Sequence, residues 1–573
     1  MMLAGAFFIY IEGVIMKYSG AEITIKLLEK EGIDIITGIP GGTNLPLYSA
    51  LAKSKIRHIL ARHEQGAGFM SHGMARSTGK TAVCFACSGP GATNLMTAIA
   101  DAKMDSVPII AITGQVPSSL IGTDAFQEVD TYGMTIPITK HNFLIRSAEE
   151  LLSAIPEAFR IASEGRPGPV LIDIPKDVQL EMIEIESFDR SFEEDGLPIY
   201  IDEVEIEKAA RMINCSRKPV LYTGGGIILS GAEDMLLNFS HKSSIPVAST
   251  LMGLGCFPSG DNMFIGMLGM HGQRYTNYIM HEADLILAFG ARFDDRATGK
   301  VKEFCPNAKI VHIDIDSAEM NKIKKADIAI QGDIKQAIKQ LLPLIEHNDR
   351  KEWAETIMDI RGKHPIAKNI KQDEQLPEAI IKKIGSFAGE DTIITTDVGQ
   401  HQMWVAQHYP FSKPRTLLTS GGLGTMGFGF PAAIGASLAN PGKKVICFSG
   451  DGSFLMNIQE LSTLSELKLD IKIIIFNNRH LGLVRQQQEY FYGKEYIASQ
   501  FYCKTDFAKI GEGFGIESYD LEMDEAPFLT LEKAIKKEGP VLINIPLAPE
   551  KNVTPMVAPG CANYEMMGDE INE

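Results

Sequence analysis

Two short segments carry the residues best suited to chemistry. Gly450-Asp451-Gly452-Ser453 follows the apolar run Lys444-Val445-Ile446-Cys447-Phe448, and Asn477-Asn478 follows a second one, Ile471 to Phe476. Each run reads as a parallel strand. Residues just past the ends of neighbouring strands converge at the carboxyl edge of an open α/β sheet, where such sheets bind ligands. A carboxylate (Asp451) and an amide oxygen (Asn478) there are hard ligands suited to Mg²⁺, an ion that keeps octahedral geometry and is completed by water and phosphate oxygens. With a backbone carbonyl they form the protein half of such a site, and a diphosphate ligand is implied. Alone, Gly-Asp-Gly is a tight turn and Asn-Asn a strand-end turn. Spacing and strand context together favour the ion.

Positioning these residues requires α/β architecture, and the rest of the chain supplies its pattern. At 573 residues the chain exceeds one core and divides into several units. Short apolar runs such as Val107 to Ile112 and Val170 to Ile174 alternate with helical patterns, which is the grammar of parallel sheets covered by helices. The boundaries read as 17–185, 200–345 and 370–550, giving three doubly wound parallel-sheet domains. The acidic stretch Glu181 to Glu205 reads as a linker and His347 to Gln375 as a helical connector. The first and third units are similar in length, which suggests duplication of one fold.

Composition narrows the function classes. Hydrophobic residues make up 45% and charged residues 22%, the balance of an ordinary globular protein. A net charge of -17 without clustered Lys and Arg argues against binding along a nucleic-acid backbone. Eight scattered cysteines suit a reducing cytoplasmic location, and Cys84 and Cys87 fall in an apolar run that reads as a buried strand rather than half a zinc site. The apolar opening Leu3 to Ile15 is interrupted by Glu12 and is too short for a membrane span. It reads as an over-long start, with the folded part beginning at Met16 and an amphipathic helix running to Glu31.

The motifs also resemble a known family. Gly450 to Ser453 with Asn477-Asn478 is similar to the cofactor motif of the thiamine-diphosphate-dependent enzymes. Arg62-His63-Glu64-Gln65-Gly66-Ala67 resembles their activating-glutamate segment, and Ser88-Gly89-Pro90-Gly91-Ala92-Thr93-Asn94 the loop after the next strand. The resemblance implies that Glu64 hydrogen-bonds the aminopyrimidine ring of a cofactor bound by the neighbouring subunit, favouring the imino tautomer that takes a proton from the thiazolium carbon. A surface salt bridge to Arg62 or His63 is the plainer reading of Glu64 alone. Thr419 to Pro431 resembles the glycine-rich cofactor cradle, with Gly424 at the aminopyrimidine and Met426 as the apolar wedge. Val398-Gly399-Gln400-His401 resembles the diphosphate turn, with Gln400 and His401 as donors. The same match places Gly450 and Ser453 at the cofactor, and His480 with Asp451 and Asn478 at the metal.

The middle unit selects within the family. Gly269-Met270-His271-Gly272, Phe289 to Lys300, His312 to Asp316 and Gly332-Asp333 resemble the flavin-contacting segments of FAD-containing acetohydroxyacid synthases. His271, Arg292, Asp295, Asp314 and Asp333 are carried over as FAD-binding residues, joined by Arg166. The flavin so implied is structural, because joining two keto acids involves no net redox change. Gln127, Lys176 and Arg296 are carried over as catalytic and substrate residues, with Phe126 as pocket wall. A guanidinium can hold a carboxylate bidentately, although Asp295 and Arg296 alone read as an ion pair. The resemblance implies decarboxylation of pyruvate and condensation with pyruvate or 2-ketobutyrate by a homodimer or homotetramer, and leaves open a small regulatory subunit. An intact Glu64 argues against a glyoxylate carboligase. One departure stands out: Gln487 occupies a position where most of the family has tryptophan.

Overall fold

The computed structural model describes residues 16–186, 188, 201–365 and 377–568. The apolar opening and the acidic core of the linker, Glu193 to Gly196, lie outside them. Three six-stranded sheets form the framework, and every strand pair within them is parallel. Their central strands are continuous apolar runs, as expected for strands covered on both faces. Ile109–Gln115, Leu285–Phe289 and Ala82–Ala86 are buried throughout. The last contains Cys84, with Cys87 just beyond it, and both thiols are buried and unpaired.

Topology supports duplication of the outer units. Numbered within its own sheet, the first domain has strand order 2-1-3-4-6-5, and the third repeats that order, whereas the middle domain runs 3-2-1-4-5-6. The switch point of each sheet opens a crevice at its carboxyl edge.

The structure refines the linker and start regions. Met182–Ile185, inside the stretch read as linker, pairs antiparallel with Met16–Ser19, which is a strand and precedes the helix Gly20–Lys30. Ser19 caps that helix through a reciprocal box with Glu22, satisfying N–H groups that have no partner within the helix. The acidic stretch ends inside another helix, Glu203–Cys215, capped by Asp202. Charge density hid both elements, because the strand is short and the helix packs by one face only.

The outer domains are pressed together through one helix from each. Glu64–Thr78 packs along Gly429–Ala439 at a separation that only glycine permits: a Cβ on Gly73 would lie 2.1 Å from the Ala432 carbonyl oxygen, and one on Gly435 only 1.8 Å from that of Met70. His72, Phe69 and Phe428 fill the seam with edge-on ring contacts. The helix beginning at Glu64 is thereby fixed against the helix that follows the glycine-rich loop.

Candidate functional site

Strands Val445–Gly450 and Ile471–Asn477 are adjacent and parallel, with Gly450 opposite Phe476. Asp451 and Asn478 therefore emerge side by side. They line a cavity of about 210 Å³ together with Gly399, Gln400, His401, Gly424, Met426, Gly450, Ser453 and His480. The structure thus gathers one cluster from four separate segments.

Asp451 is 4% exposed. Burial pushes its carboxyl up to about 7, opposed by N–H donation from Gly452 and Arg479. A divalent cation would reverse that penalty by supplying the missing positive charge. Asn478 accepts from the His480 N–H through Oδ1 at 2.9 Å and donates to Gln400 Oε1 at 3.1 Å. The Gln400 amide in turn donates to Gln486 Oε1 and the Lys551 carbonyl, so its side chain orients Asn478 at the cavity wall. Between Gln400 and His401 only the histidine keeps a buried side-chain nitrogen, Nε2, without a partner. Burial holds that imidazole down at about 3, hence neutral. A Cβ on Gly482 would fall 2.0 Å from Gln400 Oε1, and Gly424 adopts φ +72°, a conformation natural to glycine. An oxygen pair, an uncommitted imidazole nitrogen and glycine-lined walls fit a diphosphate held through a metal ion.

Glu64 is not among the lining residues. It begins the helix Glu64–Thr78, and its Oε2 accepts from Asn94 Nδ2 at 2.9 Å. The salt bridge to Arg62 does not form, since Arg62 pairs with Glu466. Gly89 of the neighbouring loop packs on the backbone of Gln127, itself at φ +60°, and Phe126 beside it is 88% exposed. Lys176 opens the helix after Val170–Pro175 at the carboxyl edge of the same sheet. The first domain therefore presents Glu64, Gln127 and Lys176 beyond the carboxyl ends of its own strands, and none of them lines the third-sheet cavity.

A third group lies at the carboxyl edge of the middle sheet. His271, Arg292, Asp314 and Asp333 each end or follow one of its parallel strands. Burial pushes the Asp314 carboxyl up to about 6, holds His271 down at about 4 and leaves its Nδ1 without a partner. Asp333 caps the helix Ile334–Leu341. Arg166 bridges from the first domain to Asp316 and Glu319 at 3.1 and 2.9 Å. Asp295 and Arg296 are exposed and 3.7 Å apart, and Arg296 Nη1 lies 3.3 Å from the Met270 sulfur.

Sequence reasoning missed several supporting groups. Gln486 is fully buried, and Asp397 accepts from the Gly429 N–H and the Ser449 hydroxyl. Neither belongs to a motif with a local pattern. Gln487 is exposed, one helical turn beyond Val484, which with Leu483 lines the cavity.

Comparison with known proteins places these clusters in a family. Residues 18–134 match the thiamine pyrophosphate enzyme N-terminal TPP binding domain, 206–341 the central domain and 397–545 the C-terminal TPP binding domain. The acetolactate synthase isozyme 1 large subunit of Escherichia coli (strain K12) is 55% identical, over 96% of this chain and 98% of its own. This chain belongs to the acetolactate synthase large-subunit family. The isozyme 2 large subunit of the same organism is 42% identical over 96% of this chain and 99% of its own. A probable acetolactate synthase large subunit of Methanocaldococcus jannaschii is 46% identical over 94% of both chains. As a member of this family the chain is a thiamine-diphosphate-dependent enzyme, and the two TPP-binding domains are those that carry the cavity and Glu64. None of its described helices is long and apolar enough to cross a membrane.

Proposed function

We propose that this enzyme is a cytoplasmic acetolactate synthase of branched-chain amino acid biosynthesis, decarboxylating pyruvate and joining the two-carbon unit to a second pyruvate or to 2-ketobutyrate. The observation that carries the reading is the cavity at the carboxyl edge of the third sheet, lined by Asp451, Asn478, His401 and Gly424, in a chain of this family. Thiamine diphosphate supplies, when bound, a nucleophilic carbon and an electron sink for the decarboxylated fragment.

The chain's own residues hold the groups in place. Asp451, Asn478 and His480 hold Mg²⁺, and through it the diphosphate. Gly450, Ser453 and the His401 imidazole face the diphosphate, while Gly424 and Met426 shape the wall beside the aminopyrimidine. Glu64, oriented by Asn94, exchanges a proton with the aminopyrimidine nitrogen. Because Glu64 stands outside its own chain's cavity, the working unit is a dimer in which each chain lends Glu64, Gln127 and Lys176 to the other. Arg296 holds the carboxylate of the second keto acid. The middle-sheet group, with Arg166, holds FAD as a structural element, and the uncommitted Nδ1 of His271 supports a polar ligand there. A homotetramer and a small regulatory subunit are compatible with this arrangement.

One assay tests the whole reading. Purified protein with thiamine diphosphate, Mg²⁺ and FAD, given pyruvate with and without 2-ketobutyrate, is expected to form acetolactate and acetohydroxybutyrate. Flavin absorbance should persist unchanged through turnover. Acetaldehyde as the sole product would refute the carboligase assignment, and stoichiometric flavin reduction would refute its structural role.

A further inference from the structure

The loop that shapes the cavity is held from outside its own domain. Ser420 to Phe428 connects the strand Leu417–Thr419 to the helix Gly429–Ala439 and places Gly424 and Met426 on the cavity wall. Six glycine and hydroxyl-bearing residues in this stretch, Ser420, Gly421, Gly422, Gly424, Thr425 and Gly427, give the backbone little intrinsic preference for one shape. Something must select it.

Two carboxylates of the first domain do so. Asp101 lies on the helix Pro90–Met104, and Asp105 ends it. Asp101 Oδ2 accepts from the Ser420 hydroxyl at 2.5 Å and the Thr425 hydroxyl at 2.6 Å, and the Ser420 hydroxyl accepts from the Thr425 N–H at 2.8 Å. Asp105 accepts from two consecutive loop N–H groups, Gly421 at 3.0 Å and Gly422 at 2.7 Å. The remaining oxygen of Asp101 lies 3.2 Å from His72 Nε2, and Arg76 Nη1 is 3.3 Å from Asp105. Arg76 also donates to the Thr419 carbonyl. Both carboxylate side chains are wholly buried, and three of their four oxygens accept hydrogen bonds from the loop. The cluster ties the helices of the first domain to the loop.

His72 and Arg76 lie on the helix that begins at Glu64. One rigid element thus ends, toward the loop, in this cluster and begins with Glu64.

We infer that Asp101 and Asp105, backed by His72 and Arg76, are positioning residues that preorganise the Ser420–Phe428 loop for the cofactor. This rests on the reading that the cavity takes thiamine diphosphate. Each carboxylate replaces conformational search in a glycine-rich segment by charge-assisted hydrogen bonds made before the ligand arrives.

The test reads the loop directly, without turnover. In cofactor-free protein, hydrogen exchange of the Gly421 and Gly422 amides should rise at least about tenfold in Asp105→Ala, because their acceptors are gone. In Asp101→Ala the dissociation constant of thiamine diphosphate with Mg²⁺ should rise at least about tenfold, a fraction of what two hydrogen bonds to a charged acceptor contribute to holding the loop. Asp101→Asn should restore affinity to within about threefold of wild type, since its amide oxygen accepts both hydroxyls. Thr425→Val removes one donor from the loop side without disturbing either helix and should weaken binding in the same direction. Unchanged exchange at Gly421 and Gly422 in Asp105→Ala overturns the inference, as does unchanged affinity in Thr425→Val. Asp101→Asn as weak as Asp101→Ala overturns it too, by making charge rather than positioning the cause. Wild-type protein that fails to bind thiamine diphosphate sinks the underlying reading instead.

Discussion

Mixing two inactive variants offers a sharp test of how the site is divided between chains. Glu64 accepts a 2.9 Å hydrogen bond from Asn94, and a glutamine there can accept the same bond. Glu64→Gln therefore keeps the local geometry and removes only the exchangeable proton, which should lower turnover about 10²-fold, or roughly 2.7 kcal/mol. Affinity for thiamine diphosphate should hold, because Asp451, Asn478 and His401 line the cavity and Glu64 does not. Asp451→Ala is inactive for the complementary reason. In a mixed dimer, the site built from the Glu64→Gln chain's cavity and the Asp451→Ala chain's Glu64 is intact, and the other site lacks both groups. Random pairing at equal concentrations gives about half mixed dimers with one good site each. Activity should recover to roughly one quarter of wild type, far above the ~1% of Glu64→Gln alone. Subunit exchange followed by an acetolactate assay measures this. Recovery no greater than the sum of the separate variants, with exchange demonstrated, would refute the shared site.

Three further outcomes follow from particular residues. Asp451→Ala should weaken Mg²⁺ and thiamine diphosphate together, since the diphosphate is held through the ion; equilibrium titration that leaves either affinity unchanged counts against the assignment. Gln487 is exposed one turn beyond Val484, so it adds little apolar contact for the extra methylene of 2-ketobutyrate. Gln487→Trp should shift product ratios toward acetohydroxybutyrate by up to about 1–3 kcal/mol, and no shift in a two-acceptor competition would sink this. Burial, reinforced by Lys382, holds His408 down at about 3 against 6.5 for an exposed histidine. Its neutral form therefore adds stability that is fully present above pH 6.5 and is lost as pH falls toward 3, at about 1.4 kcal/mol per pH unit. His408→Gln should flatten the fall in melting temperature between pH 6.5 and 5, and a slope equal to wild type would show that the site titrates normally.

Much of the third-sheet cluster was legible locally. An apolar run followed by Gly-Asp-Gly, and another followed by Asn-Asn, place their polar residues at one sheet edge whatever the rest of the chain does, because parallel strands share a direction. Gln400 shows the limit of such reading. Its place at the turn was legible, but its side chain answers to Gln486 and Lys551, up to 151 positions away. Gln487 shows another limit: its type was plain, but its exposure depends on which face of the helix Gly482–Phe491 meets the core.

The sequence by itself determined the α/β class and which polar residues stand at the ends of the third sheet's strands, since these follow from short-range periodicity, while the similar length of the outer units only suggested a repeat. Only the tertiary structure decided that Glu64 does not line its own chain's cavity and that Asp101 holds Ser420 across 319 positions. The physical reason is the close approach of two helices at Gly73 and Gly435. A missing side chain there brings distant carboxylates to a loop that cannot shape itself, and no local pattern records which surface a glycine will meet.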